Sequence, residues 1–554
     1  MSLNVKSHKH DLLFIPLGGS NEIGINVNLY HYNGKWLMVD CGSGFADQYL
    51  PGVDILVADL SFIAKHKKDI VGLVLTHAHE DHLGGIQYLW DEIECPIYAT
   101  TFTANFLKIR LSEYSMSKKL KIYDVKPGSK IDLAPFSIEM VPLTHSAPEM
   151  QALMIRTEVG NIFHTGDWKF DPDPIIGKPS DEELIKKYGD EGILALVCDS
   201  TNVFSHGSSG SEGELRKSLK DLIAGCKKMV VATTFASNLA RLDTLIHAGI
   251  SAGRKIVLAG RSMHRMLEAA QTSGYLGDVN SIIDERAVGN YRREELLVIA
   301  TGCQGEPMAA TSKMAEGIHR NIRLAKGDTV IFSSKIIPGN ETSIYRMFNL
   351  FVRNGVEVIT ERDHFVHVSG HPAIDELKRM YELIRPKIAI PVHGEPVHLH
   401  EHVKIARSYG VQYPIEVKNG SVVDLNPSDP KIVAEVKTGY FGVDGGYLIP
   451  TDSPIFRMRR KIRNDGVVVV AIALSKEGKL VTKPVISAPG VLDHEEDALL
   501  IKDIVEELYE ALCHASAARS KKEDLDQVAK SCVRRIIKSE IGKSPVVIVS
   551  PIRV

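Results

Sequence analysis

Short apolar runs, each closed by glycine or another turn former, recur through the first two hundred residues. The runs at 12–17, 27–30, 36–39 and 70–75 read as strands, as do 137–142, 154–158, 162–164 and 194–198. Asn33-Gly34, between two of them, signals a tight hairpin. The stretch 1–209 therefore predicts a strand-rich unit with helices on its outside. Over 210–362 the pattern changes. Buried-type strands at 229–233, 255–259, 296–300, 329–332 and 356–360 are separated by helical segments such as 238–252. That alternation predicts a parallel sheet covered by helices. A third stretch, 363–450, continues with a helix (373–384), a strand (387–392) and a helix (397–409). A linker is expected at 451–456, where Pro450 and Pro454 flank the change. The last stretch, 457–554, reads strand, strand, helix, helix, strand, with strands at 467–474, 480–486 and 546–549 and helices at 498–515 and 525–538. No internal repeat is visible.

Composition narrows the class. The chain has 554 residues, 44% hydrophobic and 24% charged, values of a globular protein rather than a disordered or collagen-like one. The longest apolar run, 467–474, is too short to span a bilayer, and the N-terminus lacks the pattern of a secretory signal. No membrane partner is expected, and a cytoplasmic location is. Lys+Arg is 66 and Asp+Glu 69, so the net charge is −3. Any polyanionic partner must meet positive charge gathered in a groove. The seven cysteines are scattered without a CxxC pair, as in a reducing compartment.

The histidines carry the chemistry. The run 73–85 is LVLTHAHEDHLGG, an apolar strand followed by His77, His79, Asp81 and His82. Composition alone would produce such a run roughly once in several hundred chains of this length. His77 and His79, two apart, point to one side of an extended backbone, and Asp81 and His82 follow where the chain turns into a helix. Imidazole nitrogen and carboxylate oxygen are the ligands of zinc and similar divalent ions. Four such donors in six residues exceed what one open site takes from one loop, so two ions are expected. His145 in PLTHS, Asp167 in HTGD and His393 in PVHGE repeat the same order of apolar strand, metal-competent residue and turn. His164, close to Asp167, sits inside its strand and is set aside.

These segments, with GGSNEIG (18–24) and MVDCG (38–42), resemble the metallo-β-lactamase fold. The insertion after residue 209 resembles the β-CASP domain of nucleic-acid-processing members. Asp199 in CDSTN and His371 in HVSGH match its acidic and first histidine motifs, and His393 matches the second. Order and spacing are most similar to the ribonuclease J family, over about residues 10–450. The fold class implied is α/β: a metallo-β-lactamase αββα sandwich, an inserted parallel-sheet β-CASP domain (210–362) and a small α+β C-terminal domain. The resemblance implies that His77, His79 and His145 hold one ion, that Asp81, His82 and His393 hold the other, and that Asp167 bridges them. Asp40 would orient the histidine loop without binding metal. It further implies RNA contacts from Ser237 and Asn238 in FASN and from His367, Val368, Ser369, Gly370 and His371 in HVSGH. For FASN, a plain helix N-cap is the competing reading.

The activity implied is in-line hydrolysis of a phosphodiester. The catalytic set is Asp81, Asp199 and His371, with His371 as acid for the leaving 3′ oxygen and Asp199 orienting it or the metal loop. A phosphate-binding His371 without proton transfer is the alternative. The family implies 5′→3′ exonuclease and endonuclease action on single-stranded RNA, preferably 5′-monophosphorylated, in mRNA decay and rRNA maturation. It also implies zinc by default, with manganese or magnesium as substitutes, and a homo-oligomer, dimer or tetramer. A β-CASP DNA nuclease of the repair type is the first rival, and His393, where DNA-directed members usually carry valine, argues for RNA. A small-molecule hydrolase of the lactamase fold and a non-catalytic RNA-binding scaffold are further rivals. RMRRKIR at 457–463, five cations in seven residues, reads either as a phosphate contact or as a solvated face.

Overall fold

A computed structural model describes residues 3–47, 49–113, 120–277, 280–517 and 522–554. The chain divides into two compact units, 1–44 with 57–440, and 45–56 with 441–554.

In the first unit two sheets face each other. One has eight strands in the order Lys431–Glu435, Ser421–Asp424, Leu13–Gly18, Val27–Tyr32, Lys35–Val39, Ile70–Val74, Ile97–Thr100 and Ile122–Val125. The other has seven, ordered Tyr413–Pro414, Ile388–Val392, Ala195–Asp199, Asn161–His164, Gln151–Arg156, Phe136–Pro142 and Lys130–Leu133. Phe14, Tyr30, Val39 and Val74 from the first sheet and Phe136, Met140, Leu153, Ile155, Val197 and Ile390 from the second form one buried cluster. Such a cluster removes apolar surface from water on both inner faces. The helices Glu182–Glu191 and Ile374–Ile384 cover the outer face of the seven-stranded sheet through Ile185, Tyr188, Leu377 and Met380. Residues 388–435 thus supply strands to both sheets, which is how a sandwich interrupted by about 150 residues still closes. At the hairpin, Asn33 and Gly34 have φ of 50° and 74°, the double positive φ that a type I′ turn requires.

The insertion carries six strands, all parallel, in the order Ile282–Ile283, Lys255–Ala259, Leu296–Ala300, Val230–Thr233, Thr329–Phe332 and Glu357–Ile359. Four of them are buried throughout or nearly so, as a sheet covered on both faces must be.

In the second unit the strand Val467–Leu474 pairs with Val485–Ser487 and Val546–Arg553. Alternate residues Val468, Val470, Ile472 and Leu474 pack against Ile504, Leu508, Leu512, Val533 and Ile537 of the helices Ala498–Ala517 and Lys522–Ile541. Two expectations fail here. The strand expected at 480–486 is reduced to Val485–Ser487 plus one bridge between Leu474 and Leu480. Pro484 has no N–H to give a ladder, which limits pairing on its side. The expected linker 451–456 runs into a helix, Pro454–Asp465, started by Pro454 and capped by the Ser453 hydroxyl accepting from the Ile455 N–H.

Candidate metal centre

The site is assembled at strand ends. Beyond the strand Lys35–Val39, Asp40 takes a φ of 61°, and beyond Ile388–Val392, His393 takes 54°. Non-glycine residues held there carry strain of roughly 1–3 kcal/mol, which surrounding bonds must over-determine. For Asp40 those bonds are visible. Its carboxylate accepts from the Thr76 N–H (2.8 Å), the Thr76 hydroxyl (2.9 Å) and His82 Nδ1 (2.7 Å). The turn 77–85 is tied to 41–42 by Cys41 N–H to His82 O and Gly85 N–H to Cys41 O. Gly42 is needed there, because a Cβ would lie 1.8 Å from the Asp81 carbonyl oxygen.

His77, His82, His145 and His393 each spend one ring nitrogen on the protein and turn the other inward, whereas His79 turns Nδ1 inward and leaves a buried Nε2 without a hydrogen-bond partner. His82 Nδ1 is held by Asp40, and its Nε2 faces Asp167 Oδ2 at 3.1 Å and Asp81 Oδ2 at 3.6 Å. His145 Nδ1 donates to the Gly370 carbonyl at 2.6 Å, and its Nε2 lies 3.1 Å from His79 Nδ1 and 4.0 Å from Asp167 Oδ2. His393 Nδ1 meets the Thr201 hydroxyl at 2.7 Å, and its Nε2 lies 3.1 Å from Asp81 Oδ2. His77 Nδ1 meets the Thr76 hydroxyl at 3.0 Å, leaving Nε2 3.9 Å from Asp167 Oδ2, buried and without a hydrogen-bond partner. Donors bonded tetrahedrally at about 2.1 Å stand about 3.4 Å apart, so these spacings suit divalent ions. Three groups have ligand atoms all within 4.8 Å: His77, His79, His145 and Asp167; Asp81, His82, Asp167 and His393; and Asp167, Asp199, His371 and His393. A buried imidazole with a free lone pair, facing other lone pairs across 3–4 Å, is the donor set a cation fits. His164 faces away: its Nδ1 pairs with the Tyr30 hydroxyl at 2.9 Å.

Burial and charge divide the histidines. Burial, with neighbouring rings, holds His77 and His145 well below the ordinary imidazole range and His79 down to about 4. Burial acts the same way on His82 and His393, but the surrounding carboxylates outweigh it and raise both well above that range. For Asp167 burial is likewise outweighed, by His393 and His82, and its carboxyl stays far below its usual value. The centre is therefore a mixture of neutral imidazoles (His77, His79 and His145), imidazoles that hold their proton beside carboxylates (His82 and His393) and an ionised carboxylate at Asp167.

His371 lies beside this set. Its Nδ1 bonds Asp199 Oδ2 at 2.8 Å and stands 4.0 Å from Asp167 Oδ2, and its ring stacks on His393 with centroids 5.5 Å apart. Asp199 also accepts from the Thr201 N–H and hydroxyl. The rest of HVSGH is firmly tied. Asn202 Nδ2 donates to Ser369 Oγ (2.7 Å) and to the His371 carbonyl (3.1 Å). His367 Nδ1 is buried and unpartnered, and Arg241, Lys335 and Lys169 add positive potential around its ring. In FASN, Asn238 caps the helix Leu239–Ser251, accepting from the Arg241 N–H and donating to Glu212. Its amide is thereby engaged in the N-cap, while Ser237 is half-exposed.

Sequence reasoning missed the residues that aim these groups: Thr76, Thr201 and Arg241. Arg241 is fully buried, paired with Glu212 at 2.9 Å, and its Nη atoms donate to Ser333 and to the Val366 and Val368 carbonyls. Its position in the first turn after the capping Asn238 was the available signal. In the second unit two cations of RMRRKIR serve local packing: Arg459 pairs with Asp444 at 2.6 Å, and Arg460 donates to the Tyr49 carbonyl.

Sandwich, inserted parallel sheet and histidine-carboxylate centre define a metallo-hydrolase of the β-CASP type. Residues 21–220 match the metallo-beta-lactamase superfamily, 227–351 the ribonuclease J beta-CASP domain, 355–417 the Zn-dependent metallo-hydrolase RNA specificity domain, and 454–554 the ribonuclease J C-terminal domain. Ribonuclease J of Sinorhizobium meliloti is 38% identical over 549 residues, covering 97% of each chain. Ribonuclease J2 of Bacillus subtilis is 31% identical over 98% of this chain and 99% of its own. A protein of unknown function from Enterococcus faecalis shares the fold at 16% identity and a TM-score of 0.51, over 74% of this chain and 99% of that one. The chain belongs to the ribonuclease J family. It is a hydrolase, a metal-dependent ribonuclease, and the family match favours RNA over the DNA-repair rival. The superfamily implies divalent metal ions. Among the described residues no helix is long and apolar enough to cross a membrane.

Proposed function

We propose that the chain degrades single-stranded RNA from the 5′ end, 5′→3′, with internal cleavage as a second mode, in mRNA decay and rRNA maturation in the cytoplasm. The observation that carries the reading is the meeting of seven donors from four separate segments in two groups that share Asp167. His77, His79 and His145 would hold one ion, Asp81, His82 and His393 a second, with Asp167 between them, and zinc suits this N/O set. When bound, such ions polarise a phosphodiester and lower the pKa of an attacking water.

The chain's own side chains supply the remainder. His371 stands outside both ligand sets with Nδ1 on Asp199. Nε2 is then the atom that gives a proton to the leaving 3′ oxygen, and Asp199 fixes the ring for it. His367, with its buried Nδ1 unpartnered, and the HVSGH backbone would hold a terminal phosphate, with Ser237 of FASN as a further contact. The preference for a 5′-monophosphate over a triphosphate is carried over from the family resemblance. A homo-oligomer, dimer or tetramer, is part of the reading.

The test is one digestion series on 5′-monophosphate, 5′-triphosphate and 5′-hydroxyl RNA, resolving mononucleotides from internal fragments, with metal analysis of the same sample. The reading expects mononucleotides fastest from the 5′-monophosphate and about two ions per chain. Equal rates on all three ends would overturn the end preference, and a metal-free active sample would overturn the centre.

A further inference from the structure

His145 is held from across the domain insertion. Its Nδ1 donates to the carbonyl of Gly370, 225 residues later in the chain, at 2.6 Å. Gly370 is itself in the segment 366–371, which also accepts from Arg241 (at Val366 O and Val368 O), Ser333 (at Val366 O) and Asn202 (at Ser369 Oγ and His371 O), donates the Ser369 N–H to the Ser209 carbonyl and pairs His371 with Asp199. The contact is close: a Cβ on Gly370 would stand 2.9 Å from His145 Cε1 and 3.0 Å from its Nδ1. Gly370 does not use the left-handed region, so its lack of a side chain serves this approach and not a turn.

A histidine ligand needs its second ring nitrogen fixed by an acceptor, which sets tautomer and ring direction. For His82 and His393 that partner comes from Asp40 and Thr201. For His145 it comes from Gly370, in the segment that the proposed function assigns to the RNA end. We propose that the Gly370 carbonyl is the positioning partner of His145, so that filling the metal centre and ordering the RNA-holding segment 366–371 are one coupled event. The coupling is reciprocal: metal stiffens 366–371, and a bound 5′-phosphate end tightens metal at the His145 position by the same factor. The inference rests on the metal-centre reading above.

The experiment is amide hydrogen exchange on the full-length metal-stripped protein, with and without added Zn²⁺ and with no RNA present. Zinc should slow exchange over 366–371 by about tenfold or more, while 235–238, which bonds no proposed ligand, stays unchanged. Chelator competition on Gly370→Ala should show zinc bound about 10- to 100-fold more weakly, although every ligand is intact. If zinc binds and 366–371 does not change, or 235–238 slows equally, the coupling is refuted while the centre stands. If no zinc binds, the centre itself falls. The wild-type exchange result decides the matter even if Gly370→Ala fails to fold.

Discussion

Replacing Asp40 with asparagine exchanges one oxygen for an NH2 at nearly constant volume, which isolates the hydrogen-bond logic of the centre. In the native site both Asp40 oxygens accept, from the Thr76 N–H and hydroxyl and from His82 Nδ1. Asparagine can accept through only one oxygen. If that oxygen stays with the Thr76 N–H, the new NH2 faces His82 Nδ1 and forces the proton to Nε2, the atom that points at Asp167 and Asp81. A protonated nitrogen cannot ligate, and losing such an outer partner weakens metal binding by about 10- to 100-fold, or about 1.4–2.7 kcal/mol. If the amide flips, His82 is preserved but the buried Thr76 N–H faces a donor, which costs about 1–3 kcal/mol of stability. Asp40→Asn therefore loses either one ion per chain at a chelator concentration that wild type withstands, or several degrees of melting temperature. Chelator competition with metal analysis, and a melting curve on the same sample, read both. An Asp40→Asn protein with unchanged competition curve and unchanged melting would refute the assignment of Asp40 as the group that sets the His82 tautomer.

Further outcomes follow from the same geometry. His371→Ala should lower the cleavage rate by about 10²- to 10⁴-fold with metal content intact; loss of metal in that variant would assign His371 to the ligand set instead. Arg241→Met should destabilise the protein by about 3–5 kcal/mol, because Glu212 is left buried and unpaired, and Arg241→Met with Glu212→Leu should recover much of that in chemical unfolding. A double variant no better than the single one would remove the pair from the account. His402, buried between the Ser200 hydroxyl and the Tyr381 hydroxyl, is held down to about 4 by burial. The unfolded imidazole, near 6.5, binds its proton first as pH falls, so the stability this group contributes is whole above about pH 6.5 and drains away toward pH 4. From pH 7 to 5 that is about 2 kcal/mol, and His402→Gln should flatten the pH dependence of melting by that amount; an unaltered slope would refute it.

The legible part of this protein was periodic or local. Apolar runs marked the central strands of both sheets, though not those at 97–100, 122–125, 130–133, 413–414, 421–424 and 431–435; Asn33-Gly34 marked its hairpin, and HAHEDH announced a metal site, because six residues of backbone suffice to bring four donors together. Asp167, His145 and His393 could be picked out by their place after a strand. Distances of 3–4 Å between them, however, belong to the closed sandwich, in which strands from residues 136 to 164 and from 388 to 392 share one sheet. The small errors were also local in origin: Pro484 shortened a strand whose apolar pattern ran past it, and Ser453-Pro454 began a helix where two prolines suggested a linker.

Which residues could carry the chemistry was thus written in the sequence, since donor type and strand-end position are properties of short segments. Which nitrogen of each histidine is free was decided only by folding. Asp40 and His82 are 42 residues apart, His145 and Gly370 225 apart, and Thr201 and His393 192 apart. A hydrogen bond depends on tenths of an ångström across such separations, and only the packed core holds the partners that close.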